Sequence, residues 1–165
     1  MKLIKLWEAD LQKAYELHNS FQKCENGFEN NAFGFSFEEF SEYVANRKRR
    51  SKGMDLPEGF VPDTVFILAD DKENYSGIFK LRHYLNDFLA NGAGHIGFGI
   101  NPSYRKKGYA TAGLALCLTE AKKLGINEAY LSCNKDNIAS LKVQQKNGAV
   151  IHHEDEKKYY TRILL

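Results

Sequence analysis

The sequence predicts a single α/β domain spanning residues 1–165, and three observations carry that expectation. Segments with strand-like alternation and segments with apolar residues at helical spacing follow one another in the order β-α-α-β-β-β-α-β-α-β-β, without internal repeats or low-complexity stretches. A chain of 165 residues, 43% hydrophobic and 13% aromatic, is long and apolar enough for one real core. An apolar strand also runs into a basic, glycine-containing turn, Arg105-Lys106-Lys107-Gly108, that opens directly onto a helical pattern.

Taken in order, Lys2 to Leu6 alternates polar and apolar residues and predicts a short strand. Leu11, Ala14, Leu17 and Phe21 recur at helical spacing, which gives a first helix. The second helix is signalled by Ser36-Phe-Glu-Glu39, a capping box flanked by Phe35 and Phe40 at the two staple positions. It runs out at Arg47-Lys-Arg-Arg50, and Ser51 to Pro62 is a turn-rich connector. Strands are expected at Thr64–Ala69, Gly77–Leu85 and Gly94–Ile100, with Asn86–Gly92 as the loop between the last two. Ala110, Leu114, Cys117, Leu118, Ala121 and Leu124 line one face of a helix that Lys122, Lys123 and Gly125 close. A buried strand at Ala129–Cys133, a helix from Asn137 to Asn147 ended by Gly148, and a hairpin of Val150–His153 with Tyr159–Leu164 complete the chain.

Composition narrows the function. With 23 Lys and Arg against 21 Asp and Glu the net charge is only +2, so nucleic acid is not the expected partner. Three cysteines, Cys24, Cys117 and Cys133, without a C-x-x-C pair, disfavour a disulfide framework or a zinc ribbon and fit a reducing cytosol. No apolar run approaches membrane-spanning length, and Met1-Lys-Leu-Ile-Lys5 leads into a charged helix instead of a signal segment. A cytoplasmic protein with no membrane partner is expected. His152-His153-Glu154-Asp155 does not read as a metal site, because adjacent strand residues point apart and no second cluster supports them.

The chemistry concentrates after Ile100. Asn101-Pro102 ends the strand, and the helix that begins after Gly108 offers free N–H groups and a positive dipole end to an anion. Gly108 lets backbone approach a ligand closely, and Arg105, Lys106 and Lys107 raise the local potential. This is a pyrophosphate cradle without a Walker signature, since no Gly-Lys-Ser/Thr is present. Arg105-x-x-Gly108-x-Ala110 resembles the Arg/Gln-x-x-Gly-x-Gly/Ala cofactor motif of the GCN5-related N-acetyltransferases (GNAT). Asn137-Ile-Ala-Ser140-Leu-Lys-Val143-Gln-Gln-Lys-Asn-Gly148 resembles a later segment of the same superfamily, at the expected distance.

The resemblance implies a mixed, mostly antiparallel sheet of six to seven strands flanked by about four helices, with acetyl-CoA as cofactor and an amine as acceptor. It implies that the backbone of Phe98, Gly99 and Ile100 meets the pantetheine arm and the thioester, and that Arg105 to Thr111, including Tyr109 and Ala110, holds the pyrophosphate. It also puts Asn137, with Ser140 one turn on, against the cofactor; Asn137 equally serves as a helix N-cap. For the base, His95 at the start of the motif strand and His83 on the preceding strand are the candidates, each against the reading of a satisfied core histidine.

Where many relatives carry a Tyr near the departing thiolate, this chain has Gln144, which cannot act as an acid. Tyr109, Tyr130 and Cys133 are substitutes with structural readings of their own. Arg82 points away from the His83 face, toward a neighbouring carboxylate as an ion pair or toward an acidic group of a substrate. Arg47 to Lys52 reads as a solvated helix end rather than a docking patch. The expected function is acetyl transfer to a primary amine on a small molecule or peptide. The alternative is a non-catalytic acyl-CoA-binding sensor, and either form leaves room for a homodimer.

Overall fold

The protein is described over residues 1–165 by a computed structural model. In chain order the elements are β1 (Lys2–Lys5), α1 (Leu11–Asn19), β2 (Cys24–Glu25), β3 (Phe28–Glu29), α2 (Phe37–Arg50), β4 (Asp63–Ala69) and β5 (Tyr75–Arg82). They continue with α3 (Asp87–Ala90), β6 (Ile96–Ile100), α4 (Tyr109–Lys123), β7 (Glu128–Asn134), α5 (Ile138–Lys146), β8 (Val150–Glu154) and β9 (Lys158–Leu164). Short 3-10 turns at Leu6–Glu8 and Pro102–Tyr104 connect them. No helix is long and apolar enough to cross a membrane.

Local chemistry sets the helix starts. The Ser36 hydroxyl accepts from the Glu39 N–H while the Glu39 carboxylate accepts from the Ser36 N–H, so the capping box closes in both directions. Asp10 caps α1 and Asn137 caps α5 through their side-chain oxygens.

Two antiparallel sheets result, ordered β1-β4-β5-β6 and β7-β9-β8. They meet at one isolated bridge, Gly94 to Leu131. Gly94 is at φ +68°, and a Cβ there would lie 2.2 Å from the Tyr130 carbonyl oxygen, so only glycine lets the backbones come this close. Each face of the first sheet has its own core. On one side α4 packs Leu114, Cys117, Leu118 and Ala121 against Leu68, Phe79, Leu81 and Ile96. On the other, α1 and α2 bury Leu17, Phe21, Phe40 and Val44 against Val65, Ile67 and Ile78. Each fully buried Leu or Phe contributes about 1.5–3 kcal/mol.

The structure adds three elements to those expected, β2, β3 and α3, and trims two expected strands at one end. The hairpin of β2 and β3 turns on Asn26-Gly27, at φ +50° and +81°, an Asn-Gly pair that is itself a strong hairpin signal. The segment expected as a loop carries α3, capped by Asn86. β5 stops at Arg82 because the His83 N–H turns away to the Pro62 carbonyl. β6 starts only at Ile96 because the His95 N–H is given to Tyr130 of the other sheet.

Candidate functional site

The opening between the two sheets defines the site. Arg82 N–H donates to the His95 carbonyl, and Asn101 N–H donates to that of Ser76. In an antiparallel ladder hydrogen-bonded pairs alternate, so with this register Lys80–Gly97 and Ile78–Gly99 are the bonded pairs between. The backbone groups of Ile96, Phe98 and Ile100 therefore face away from β5, along an edge that no strand covers after the Gly94 junction. The Ile100 carbonyl is taken by the Arg105 Nε. The N–H groups of Phe98 and Ile100 face the opening, as a sheet edge would for an incoming extended chain. Phe98 keeps its ring stacked on Phe79 in the core, 5.4 Å between centroids, which fixes the backbone that carries its N–H.

The strand leads into the cradle. Lys106 at φ +59° and Gly108 at φ +85° are both left-handed, curling the loop around the start of α4. No side chain caps that helix, and its first bond beyond Gly108 runs from Ala112 N–H to the Gly108 carbonyl. The N–H groups of Tyr109, Ala110 and Thr111 precede this bond and point at the space before the helix. No heavy atom lies within 4 Å of where a Cβ of Gly108 would be. The loop thus fits a phosphate-bearing group in both shape and charge.

Its cations divide by role. Arg105 is committed to the fold, donating to Ile100 and to the Glu25 carboxylate at 2.7 Å. Lys107 donates to the Ser103 carbonyl. Exposed Lys106 has no recorded protein partner.

The hairpin missed from sequence straddles the opening. Glu25 of β2 pairs with Arg105 beside β6, and the Asn26 carbonyl accepts from Asn137 at the start of α5 beside β7. Asn137 is used at both ends, its oxygen taking the Ser140 N–H. Ser140 in turn accepts from Gln144. The Gln144 side chain is fully buried, and its oxygen accepts from the Thr161 hydroxyl at 2.6 Å. Gln144 thus braces α5 against β9.

Both histidines are held by protein partners away from this opening. His95 lies at the pinned end of β6, three residues and about 10 Å before Phe98. Its Nδ1 accepts from the Tyr130 N–H at 3.0 Å, which leaves the proton on Nε2. Burial, followed by the charges of Arg82 and Arg162, lowers its pKa to about 4. It is neutral near pH 7 with no free lone pair to take a proton. His83 sits beyond β5, hydrogen-bonded to the Thr64 hydroxyl, and burial lowers its pKa also. Both line a pocket with Leu124, Gly125 and Tyr130 at the far end of α4 from the cradle. That placement sets both histidines apart from the opening beside Phe98.

Relatives give these features a family. Over 91 residues the chain is 32% identical to YjdG, an uncharacterized N-acetyltransferase of Bacillus subtilis, covering 50% of this chain and 49% of the relative. The match therefore spans about half the length of that curated protein. The fold aligns with N-acetyltransferase PseH of Campylobacter jejuni in complex with acetyl coenzyme A, at TM-score 0.65 and 19% identity, covering 99% of this chain and 97% of that one. It aligns equally with a spermidine N-acetyltransferase of Vibrio cholerae in complex with CoA and spermine, at TM-score 0.66 and 19% identity, covering 99% and 94%. At these identities the likeness is one of fold. The acetyltransferase (GNAT) domain profile matches residues 2–150, where the open strand, the cradle and α5 all lie, and the chain belongs to that family.

Proposed function

We propose that the protein is an acetyl-CoA-dependent N-acetyltransferase acting on a primary amine. The observation that carries this reading is the continuity of the open edge of β6 with the cradle at the start of α4, one track for an amide-bearing arm and its pyrophosphate. Bound acetyl-CoA supplies an activated thioester whose carbonyl carbon an amine attacks. The N–H groups of Tyr109, Ala110 and Thr111, with Lys106, hold the phosphates. The Phe98 N–H, held rigid by the Phe79 stack, donates to the thioester oxygen as negative charge grows on it. Gly97 leaves open space on the face from which the amine enters. Asn137 and Ser140 shape the opposite wall.

The amine is delivered unprotonated through solvent, because no histidine at the opening takes its proton. The proton that the attacking nitrogen sheds on becoming an amide would pass to solvent, and α5 would supply no acid to the leaving CoA thiolate, which is a tolerable leaving group near neutral pH. The sensor reading rests on the same commitment of Gln144 to Thr161 and Ser140. Release of free thiol from acetyl-CoA in the presence of amines, beside calorimetric binding of CoA, separates the two. Binding with thiol release supports the enzyme, binding without release supports the sensor, and no binding sinks both.

Three free cysteines, two of them buried, support a reducing compartment such as the cytoplasm. β8, the free edge of the second sheet with Val150 and Ile151 exposed, is the surface that would support a homodimer, read by sedimentation.

A further inference from the structure

The face of β5 that meets α1 and α2 changes character toward β6. Ile78 belongs to the apolar core on that side, and two and four residues on, the same row carries Lys80 and Arg82. The last turn of α2 brings Arg47 and Arg50 to the same place. Arg47 is buried and paired with Asp63, yet its Nε has no hydrogen-bond partner, and neither does the buried Nε of Arg50. Arg82, the cross-strand neighbour of Asp63, forms no ion pair and instead donates to the Gly94 carbonyl, so the carboxylate partner expected for it is absent. Lys80 has no ion pair either, and the one acidic group that favours its charge is exposed Glu29.

Four cations thus share two carboxylates, one of which Arg47 already takes. Burial and repulsion from Arg47 and Arg82 push the Lys80 pKa down to about 7. The helix dipole helps Arg47 and Arg50 but does nothing for the two cations on the strand. Uncompensated cations below the surface are costly unless a ligand completes them. Lys80 stands directly across from Gly97, where nothing lies within 4 Å of a Cβ position. The cluster therefore borders the face from which an amine would reach the thioester.

We propose that the acceptor is an anionic amine, a molecule bearing a carboxylate or phosphate that Arg47, Arg50, Lys80 and Arg82 bind beside Gly97. This rests on the acetyltransferase reading. It separates the chain from acetyltransferases of polycations, for which this cluster is repulsive. Oxyanions match the planar forks of the arginines, and one charge-assisted hydrogen bond is worth about tenfold or more in affinity.

The test compares matched amines in the thiol-release assay: glucosamine against glucosamine 6-phosphate, propylamine against β-alanine, and spermidine as the polycation. Higher kcat/KM for the anionic members, by about tenfold and through KM, is expected. The better of the two pairs then tells phosphate from carboxylate. Arg50→Gln and Lys80→Gln shrink the ratio toward one; both leave the buried Arg47–Asp63 pair intact. In parallel, sodium phosphate at matched ionic strength raises the melting temperature of the wild type but not of Arg50→Gln. Equal or better rates with propylamine or spermidine overturn the proposal, as does a phosphate shift undiminished in the variant. If no amine in the panel reacts, the phosphate shift alone decides. CoA binding with turnover of neutral amines only would leave the acetyltransferase reading standing and this one fallen.

Discussion

The chain just before β6 and the far end of β6 are opposite in design. At its start, Gly94 and His95 are locked to the Tyr130 backbone, the imidazole is sealed and neutral, and the two sheets touch. At its end, from Phe98 to Ile100, the sheets have parted and one edge is left for a ligand. The closed end explains the open one. A sheet can spread its strands without losing its register only if the divergence starts from a fixed point, and the close approach at Gly94 provides it. Rigid contacts lie at the His95 end of the strand, and unpaired backbone groups lie at the Phe98–Ile100 end.

Breaking the closed end should have the largest effect. Gly94→Ala forces a Cβ against the Tyr130 carbonyl and should lower unfolding stability in urea by about 3 kcal/mol or more. A loss below about 1 kcal/mol would mean that the junction is soft and does not set the opening. At the open end, Gly108→Asp puts a carboxylate into the cradle and should weaken CoA binding by about 10²-fold, near 2.7 kcal/mol by calorimetry. Unchanged affinity would remove the cradle from the site.

Smaller effects sharpen the contrast. Gln144→Ala leaves the buried Thr161 hydroxyl without its acceptor and should cost about 2 kcal/mol of stability, while turnover stays within about twofold. A collapsed rate in a folded variant would restore Gln144 to the chemistry. Acid should act more gently. His95 and buried His18 have native pKa values of about 4, below the ordinary 6.5, so the unfolded chain binds more protons between those values. Stability should fall as pH drops through that window, by about 1 kcal/mol per histidine between pH 6.5 and 5.5. His95→Gln should flatten part of the slope. A slope unchanged in that variant would mean that His95 is solvated in the native state.

Much of this was legible in the residues. The capping box at Ser36, the face of α4 and the strand–turn–helix junction at Gly108 are local, because each depends on spacing within one or two turns of chain. From that junction the family and the cofactor followed. The Asn26-Gly27 hairpin signal is equally local.

What the sequence could not determine was which side chains share a space. Arg47 and Arg50 read as a solvated helix end, and Arg82 as half of an ion pair, because their neighbours lie on other elements. Only packing α2 against β4 shows that Asp63 goes to Arg47 and that Lys80 and Arg82 are left without an ion pair. His95 sits at the right place in the motif, but the Tyr130 backbone, 35 residues on, takes its lone pair. The sequence by itself determined most of the elements, the strand–turn–helix junction at Gly108 and the family, since these are written in backbone preference and short spacing. Tertiary structure decided which cations are left without a carboxylate and which groups hold the histidines, since burial and pairing are properties of neighbours that only folding supplies.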